Sequence, residues 1–337
     1  MRKILLSVSA LFVAQFGWTQ VGGNHAYQFL TLIGAPRQAA LGGNNITNYD
    51  GDVNQPLYNP AAINSEMDNS FSLNYGKYYG DVNFGTASYS KTFNNERSFH
   101  VGVTYLNYGS IEGYDENGFQ TGSFSGNDVA LSVGYAYHID GTNFHIGTNL
   151  KLISSTLESY NSLGAAADIG GLYVDPDTGW NIGISFRNIG TQITTYNELR
   201  ESLPFEVIAG ISKKLENVPI RWHLTLDNLQ KWDVSFSNPN RSETDLDGNV
   251  TEENVSFFNN LIRHVTIGTE FFPDKNFNLR LSYNFRKGEE MKVLENRHFS
   301  GFSAGFGIRV KRFRFDYSYS RYTIAANTSL FGVTVKL

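Results

Sequence analysis

From Phe71 to the last residue the chain alternates between apolar and polar positions. In Arg312-Phe313-Arg314-Phe315-Asp316-Tyr317-Ser318-Tyr319-Ser320 one face is aromatic and the other is charged or hydroxylic. A strand half in contact with an apolar medium requires that pattern, and a helix cannot satisfy it. Leu279, Leu281, Tyr283 and Phe285 oppose Asn278, Arg280, Ser282, Asn284 and Arg286 in the same way. Trp222, Leu224 and Leu226 oppose Arg221, His223, Thr225 and Asp227, and the final stretch sets Phe331, Val333 and Val335 against Gly332, Thr334 and Lys336.

The pattern predicts an all-β fold of about fourteen strands of roughly ten residues each, enough to cross a bilayer at a tilt. The spans fall near 70–79, 82–93, 97–108, 128–138, 142–153, 163–175, 178–188, 204–214, 219–229, 262–272, 276–287, 298–311, 312–320 and 328–337. Connections alternate in length. Short turns are expected at Asn94-Asn95-Glu96, Asp140-Gly141, Asp175 to Gly179, Glu216-Asn217-Val218, Asp274-Lys275 and Lys311, and longer ones at 109–127, 154–162, 189–203, 230–261 and 288–297. An even strand count with loops sorted by parity points to a single closed antiparallel transmembrane β-barrel over 70–337. The competing reading is a soluble sheet with one face on a core, which alternation by itself does not exclude.

Residues 20–69 break the pattern. Unpaired backbone cannot face hydrocarbon, so this segment is expected inside the lumen as an N-terminal plug, for which a barrel of this size has room. Ahead of it, Met1-Arg2-Lys3 and the apolar stretch from Ile4 to Phe16 read as a signal peptide over 1–19, cleaved before Gln20. Export to a Gram-negative outer membrane follows from the two together.

Composition narrows the function further. A net charge of -5 gives no basic footprint for nucleic acid, and the absence of Cys removes disulfides, thiolate ligands and Cys nucleophiles. Gly301-Phe302-Ser303-Ala304-Gly305 matches a nucleophile elbow, but Phe306, Ile308 and Val310 continue a strand where a helix is needed. Ser88-Tyr89-Ser90-Lys91 has the Ser-x-x-Lys spacing without its companion motifs. The seven His form no metal-ligating pair, and Asp245-Leu246-Asp247-Gly248 places glycine too early for an EF-hand, leaving at most a weak cation loop. No enzyme, cofactor or metal site is expected. Arg187, Arg221, His223, Asp227, Glu270, Arg280, Arg286, Arg309, Arg312, Arg314 and Asp316 fall on the polar faces. They could line a charged pore that selects solutes, but are expected rather to form a lumen network of ion pairs holding the plug. In the connection 230–261, Trp232, Phe236, Phe257 and Phe258 are too apolar for a solvated loop and are candidates for partner binding.

The segment before the strands carries Gln28-Phe29-Leu30, Arg37-Gln38-Ala39-Ala40-Leu41-Gly42-Gly43 and the plug motif Asn59-Pro60-Ala61, followed by Asp115-Glu116-Asn117-Gly118 and Gly122 to Asp128. In that order these motifs resemble the FadL-like outer-membrane family and, within it, the PorV/PorQ branch. The start from Val21 to Leu30 and the modest length look most like PorQ-type members. The resemblance implies a non-enzymatic component of the type IX protein secretion system of Bacteroidetes, anchoring the machinery that attaches cargo at the cell surface. Its partners would then be outer-membrane lipid and proteins of the attachment complex. The alternative within the same family is a transporter of hydrophobic small molecules.

Overall fold

The computed structural model describes residues 25–78, 80–93, 97–234, 243–244, 250–251, 256–290, 300–321 and 327–337. The expected leader, Phe236, Asp245 and Asp247 lie outside them. Fourteen strands form one closed antiparallel barrel, each hydrogen-bonded to its neighbours in sequence. They are β1 (Ser70–Lys77), β2 (Asn83–Phe93), β3 (Arg97–Tyr114), β4 (Gln120–His138), β5 (Phe144–Leu157), β6 (Tyr160–Val174), β7 (Trp180–Thr194), β8 (Glu206–Lys214), β9 (Ile220–Leu226), β10 (Val265–Phe271), β11 (Phe277–Asn284), β12 (Phe302–Val310), β13 (Phe313–Arg321) and β14 (Asn327–Lys336). The ring closes by pairing β1 with β14, in a register from Ser70 opposite Lys336 to Lys77 opposite Ser329.

Burial decides which medium each face meets. On β11 the apolar Leu281 is 42 % exposed while Arg280 beside it is 0 % exposed. The same inversion recurs around the ring, with Leu73, Val133, Leu152, Ile184, Ile308, Phe315 and Phe331 outward and Ser72, Ser132, Lys151, Ser185 and Ser318 buried. A soluble sheet would bury the apolar face instead, because its removal from water is the main stabilising contribution. An exterior this apolar is matched to lipid.

Three expectations are corrected. The connections over 109–127 and 154–162 are mostly strand: β3 and β4 run 18 and 19 residues to a tight turn at Asp115, and β5 meets β6 across Glu158. Beyond the lipid both faces of a hairpin meet water, so the ladder continues where the alternation that signals it has lapsed. Strand length is therefore far from uniform, falling to 7 residues in β9 and β10. Finally, strand ends expected at 262–263 and 285–287 are helical, in α2 (Phe257–Arg263) and α3 (Phe285–Glu290), with Ser256 capping α2 through the Asn259 amide.

Residues 25–69 carry short helical turns, including α1 (Pro36–Ala40) and 3-10 turns at Gln55–Leu57 and Pro60–Ala62. They pack on the inward faces of the strands, where Arg37, Gln38, Ile46, Asn59, Ala61 and Met67 are all buried.

Candidate functional site

The site is built where this luminal segment meets the wall. Its Asn59-Pro60-Ala61 turn is held locally by Asn59, whose Oδ1 accepts from the Ala61 amide at 3.1 Å while its Nδ2 donates to the Ile46 carbonyl at 2.9 Å. Pro60 suits the first position of the turn because its φ is already fixed and it has no amide to satisfy. The wall receives the turn with two glycines, Gly147 of β5 directly opposite Gly170 of β6. A Cβ at Gly147 would collide with the Pro60 carbonyl, and one at Gly170 with the Asn59 side chain. Polar wall residues then fix the neighbouring backbone: Asn149 Nδ2 donates to the Pro56 carbonyl at 2.8 Å, and Ser185 Oγ to that of Tyr58 at 2.9 Å.

Farther round the wall lies a network of charges. Arg37, from α1, donates to Glu270 of β10 at 2.9 Å and to Asp50 at 2.8 Å, and lies 3.3 Å from Asp52. Glu270 also accepts from Arg280 at 2.9 Å, and Arg280 in turn reaches Asp316 at 2.8 Å. Asp316 holds Arg314 at 2.8 Å, while Arg221 bridges to Asp50 at 3.1 Å. Four guanidiniums thus meet four carboxylates. Burial would push the Asp50 carboxyl up, but the Arg37 and Arg221 guanidiniums outweigh it and hold it well below the ordinary carboxylate range.

Of the residues expected in this network, Arg221, Glu270, Arg280, Arg314 and Asp316 come together. His223 is adjacent, its Nδ1 2.7 Å from Asn45 Nδ2 in the luminal segment. Asp227 and Arg286 do not join them. They lie at the opposite, long-loop end, where both line a polar cavity of about 400 Å³ with His25, Glu206 and Lys287. The reason is height along the barrel, since Asp227 follows the last residue of β9 and Arg286 sits in α3. Arg37, Asp50 and Asp52 were not expected in the network, because nothing periodic marks their segment.

A second buried cluster gathers round Arg187, whose lumen-side position was expected while its partners were not. Lys151 pairs with Asp168 at 2.8 Å and donates to Asn188 Oδ1, while Arg187 contacts Glu206 at 3.5 Å and the Leu30 carbonyl at 3.0 Å. It surrounds a register shift between β6 and β7, where Asn188 takes a φ of 59° and gives its amide to Asp168. Asn tolerates that left-handed backbone better than most residues.

Trp232 and Phe257 are both exposed and pack against each other as a tilted pair with ring centroids 4.8 Å apart, and Phe258 beside them is also exposed. Ser303 is embedded in β12, in register with Ser282 and Ser320, so no strand-to-helix elbow forms. Ser88 and Lys91 are three apart on β2 and so point to opposite faces.

At the short-turn end a cavity of about 820 Å³ is lined by Asp50, Asp52, Arg221, Arg309, Arg312 and Arg314 among others. In the interior, a pocket of about 30 Å³ between Leu57, Tyr58, Lys151 and Arg187 has room for about one water.

The sequence matches no protein-family model and none of the curated proteins. Its fold is that of FadL-family outer-membrane barrels. The toluene transporter TodX of Pseudomonas putida superposes with a TM-score of 0.55 at 14 % identity, over 91 % of this chain and 98 % of that one. The toluene transporter TbuX of Ralstonia pickettii gives 0.53 at 13 % identity, over 90 % and 97 %. A FadL homologue of Pseudomonas aeruginosa gives 0.51 at 9 % identity, over 90 % and 98 %.

Proposed function

We propose that this protein is a non-enzymatic outer-membrane barrel, closed by residues 20–69 as a plug, that serves as a membrane anchor for the cargo-attachment machinery of type IX secretion. The observation that carries the anchor reading is the character of the lumen. The plug is tied across it by Arg37 and Glu270, both buried, and most of the residues that line the two larger cavities at its ends are polar or charged. A conduit for hydrocarbons needs a continuous apolar path, since an apolar ligand gains its affinity from apolar contact. The type IX assignment rests on the order of the motifs from Gln28 to Asp128. Outer-membrane lipid would surround the apolar exterior, and the exposed aromatics Trp232, Phe257 and Phe258 on the long-loop side would meet protein partners.

The second reading is a transporter of hydrophobic small molecules. It is favoured by the likeness of the barrel to TodX and TbuX, both described as toluene transporters. A deletion strain separates the two. The anchor reading expects secreted cargo to be lost from the cell surface while uptake of toluene and fatty acids stays normal. Normal cargo display with impaired uptake would reverse the assignment.

A further inference from the structure

The cavity at the short-turn end is lined by six cationic side chains, Arg221, Arg309, Lys311, Arg312, Arg314 and Lys336. The carboxylates around it are already engaged or too few. Asp50 and Asp52 are held by Arg37, Asp274 pairs with Lys214 at 2.6 Å, and Glu66 is the one further acidic side chain in the lining, against six cations. Among the described residues, no carboxylate pairs with Arg309, Lys311, Arg312 or Lys336. The protein as a whole carries a net charge of -5, so this concentration of positive charge runs against its composition.

The arrangement is locally unfavourable in two ways. Arg309 and Arg314 are directly opposite each other across β12 and β13, and like charges in that position repel. Lys311, in the turn between those strands, holds a φ of 54°, a left-handed conformation that a residue with a Cβ adopts at a cost. An anion seated between the guanidiniums relieves the repulsion.

The parity of the strands says where that anion comes from. Ile308, Val310, Phe313, Phe315 and Val333 point outward, so Arg309, Arg314 and Lys336 project into the lumen and away from the surrounding headgroups. A volume of about 820 Å³ exceeds what a single phosphate needs. The donors come from different stretches of wall, with Arg221 on β9, the 309–314 hairpin, and Lys336 on β14, which favours a ligand with separated charges. Guanidiniums fit phosphate and carboxylate oxygens in pairs.

We propose that this cavity binds a soluble polyanion carrying two or more phosphate or carboxylate groups, entering from the short-turn end of the barrel. The proposal is independent of whether the barrel serves as anchor or transporter.

Inorganic tripolyphosphate, titrated calorimetrically into the full-length protein in neutral detergent, tests it. The doubly substituted variant Arg309→Gln with Lys336→Gln is expected to bind at least about tenfold more weakly, the size of losing one charge-assisted contact. Binding to the unaltered protein should weaken steeply as salt is raised. Lys77→Gln, at the opposite end of β1, should leave binding unchanged. A heat-modifiable gel band confirms that each variant is folded. Absence of binding, equal binding by the double variant, or equal weakening by Lys77→Gln would each overturn the assignment. So would a double variant that keeps its affinity for tripolyphosphate but loses co-purifying phosphatidylglycerol, which would give these cations to the membrane surface.

Discussion

The two faces of β11 are made from alternate residues of one eight-residue stretch, yet they are held by different physics. Outward, Leu279 and Leu281 meet a medium in which any apolar side chain of similar size is equivalent, because hydrophobic contact has no direction. Inward, Asn278, Arg280 and Ser282 each have a named partner: Arg280 on Asn278, Glu270 and Asp316, and Ser282 Oγ on the Ala40 carbonyl at 2.9 Å. The outer face specifies a class of residue, whereas the inner face specifies individual residues. Tolerance to substitution should differ accordingly.

The sharpest break in that comparison is expected at Glu270, which accepts from Arg37 and Arg280 and lies 3.7 Å from Arg221. Glu270→Ala leaves three guanidiniums around a buried gap and should cost roughly 3–5 kcal/mol, as for other broken buried pairs. Urea titration of the refolded barrel in vesicles, read by gel mobility, measures it. Next comes Leu281→Arg on the outer face, at about 2–4 kcal/mol near the bilayer midplane. Leu281→Ile should be close to neutral in the same assay. A conservative outer swap as damaging as Glu270→Ala would erase the distinction between the faces.

A smaller effect is expected at Gly147, where the wall admits the Asn59-Pro60-Ala61 turn. Gly147→Ala leaves the strand ladder intact but forces the turn away, so the barrel should keep its mobility on a gel while residues 25–69 become more open to added protease. Unchanged protease resistance would mean that the glycine pair is not the seat of the turn.

These differences also explain what was legible in the sequence. The outer face could be read directly, because a period of two in hydrophobicity is all that lipid demands, and the same period put Arg221, Arg280 and Arg314 on the inner face. Hairpin extensions such as 109–114 were missed because strands in water on both sides need no alternation. The inner partners Arg37 and Asp50 were hidden for another reason. They sit in a segment with no period, and only folding into the lumen brings them to Glu270. For Asp227 and Arg286 a signal existed: each stood within two residues of the end of its expected strand, and position along a strand sets height on the barrel as parity sets the face. Gly147 and Gly170 offered none, since a glycine in a strand reads the same whether or not a turn rests on it.

The last test turns the comparison on pH, where the inner face titrates and the outer face does not. In the folded protein Asp50 is held well below the ordinary carboxylate range, although burial acts in the other direction, because Arg37 and Arg221 favour its ionised form. Its folded pKa is lower than its unfolded one, about 3.9. The group therefore stabilises the folded state fully above that unfolded value, and the stabilisation is lost as pH falls below about 4 toward the depressed folded pKa. Stability attributable to this carboxylate should be flat between pH 7 and 5 and decline below about 4. Asp50→Asn removes the ionisation, so the variant should be less stable than the unaltered protein at pH 7, and the gap should close as the acid range is entered. The effect should be smaller than that of Glu270→Ala, because the Asp50 side chain is 27 % exposed and that of Glu270 is 0 % exposed. Leu281→Ile, changed only on the outer face, should follow the unaltered protein at every pH. A gap between Asp50→Asn and the unaltered protein that stays constant from pH 7 to the acid range would show that Asp50 contributes through its shape and hydrogen bonds, with its charge playing no part.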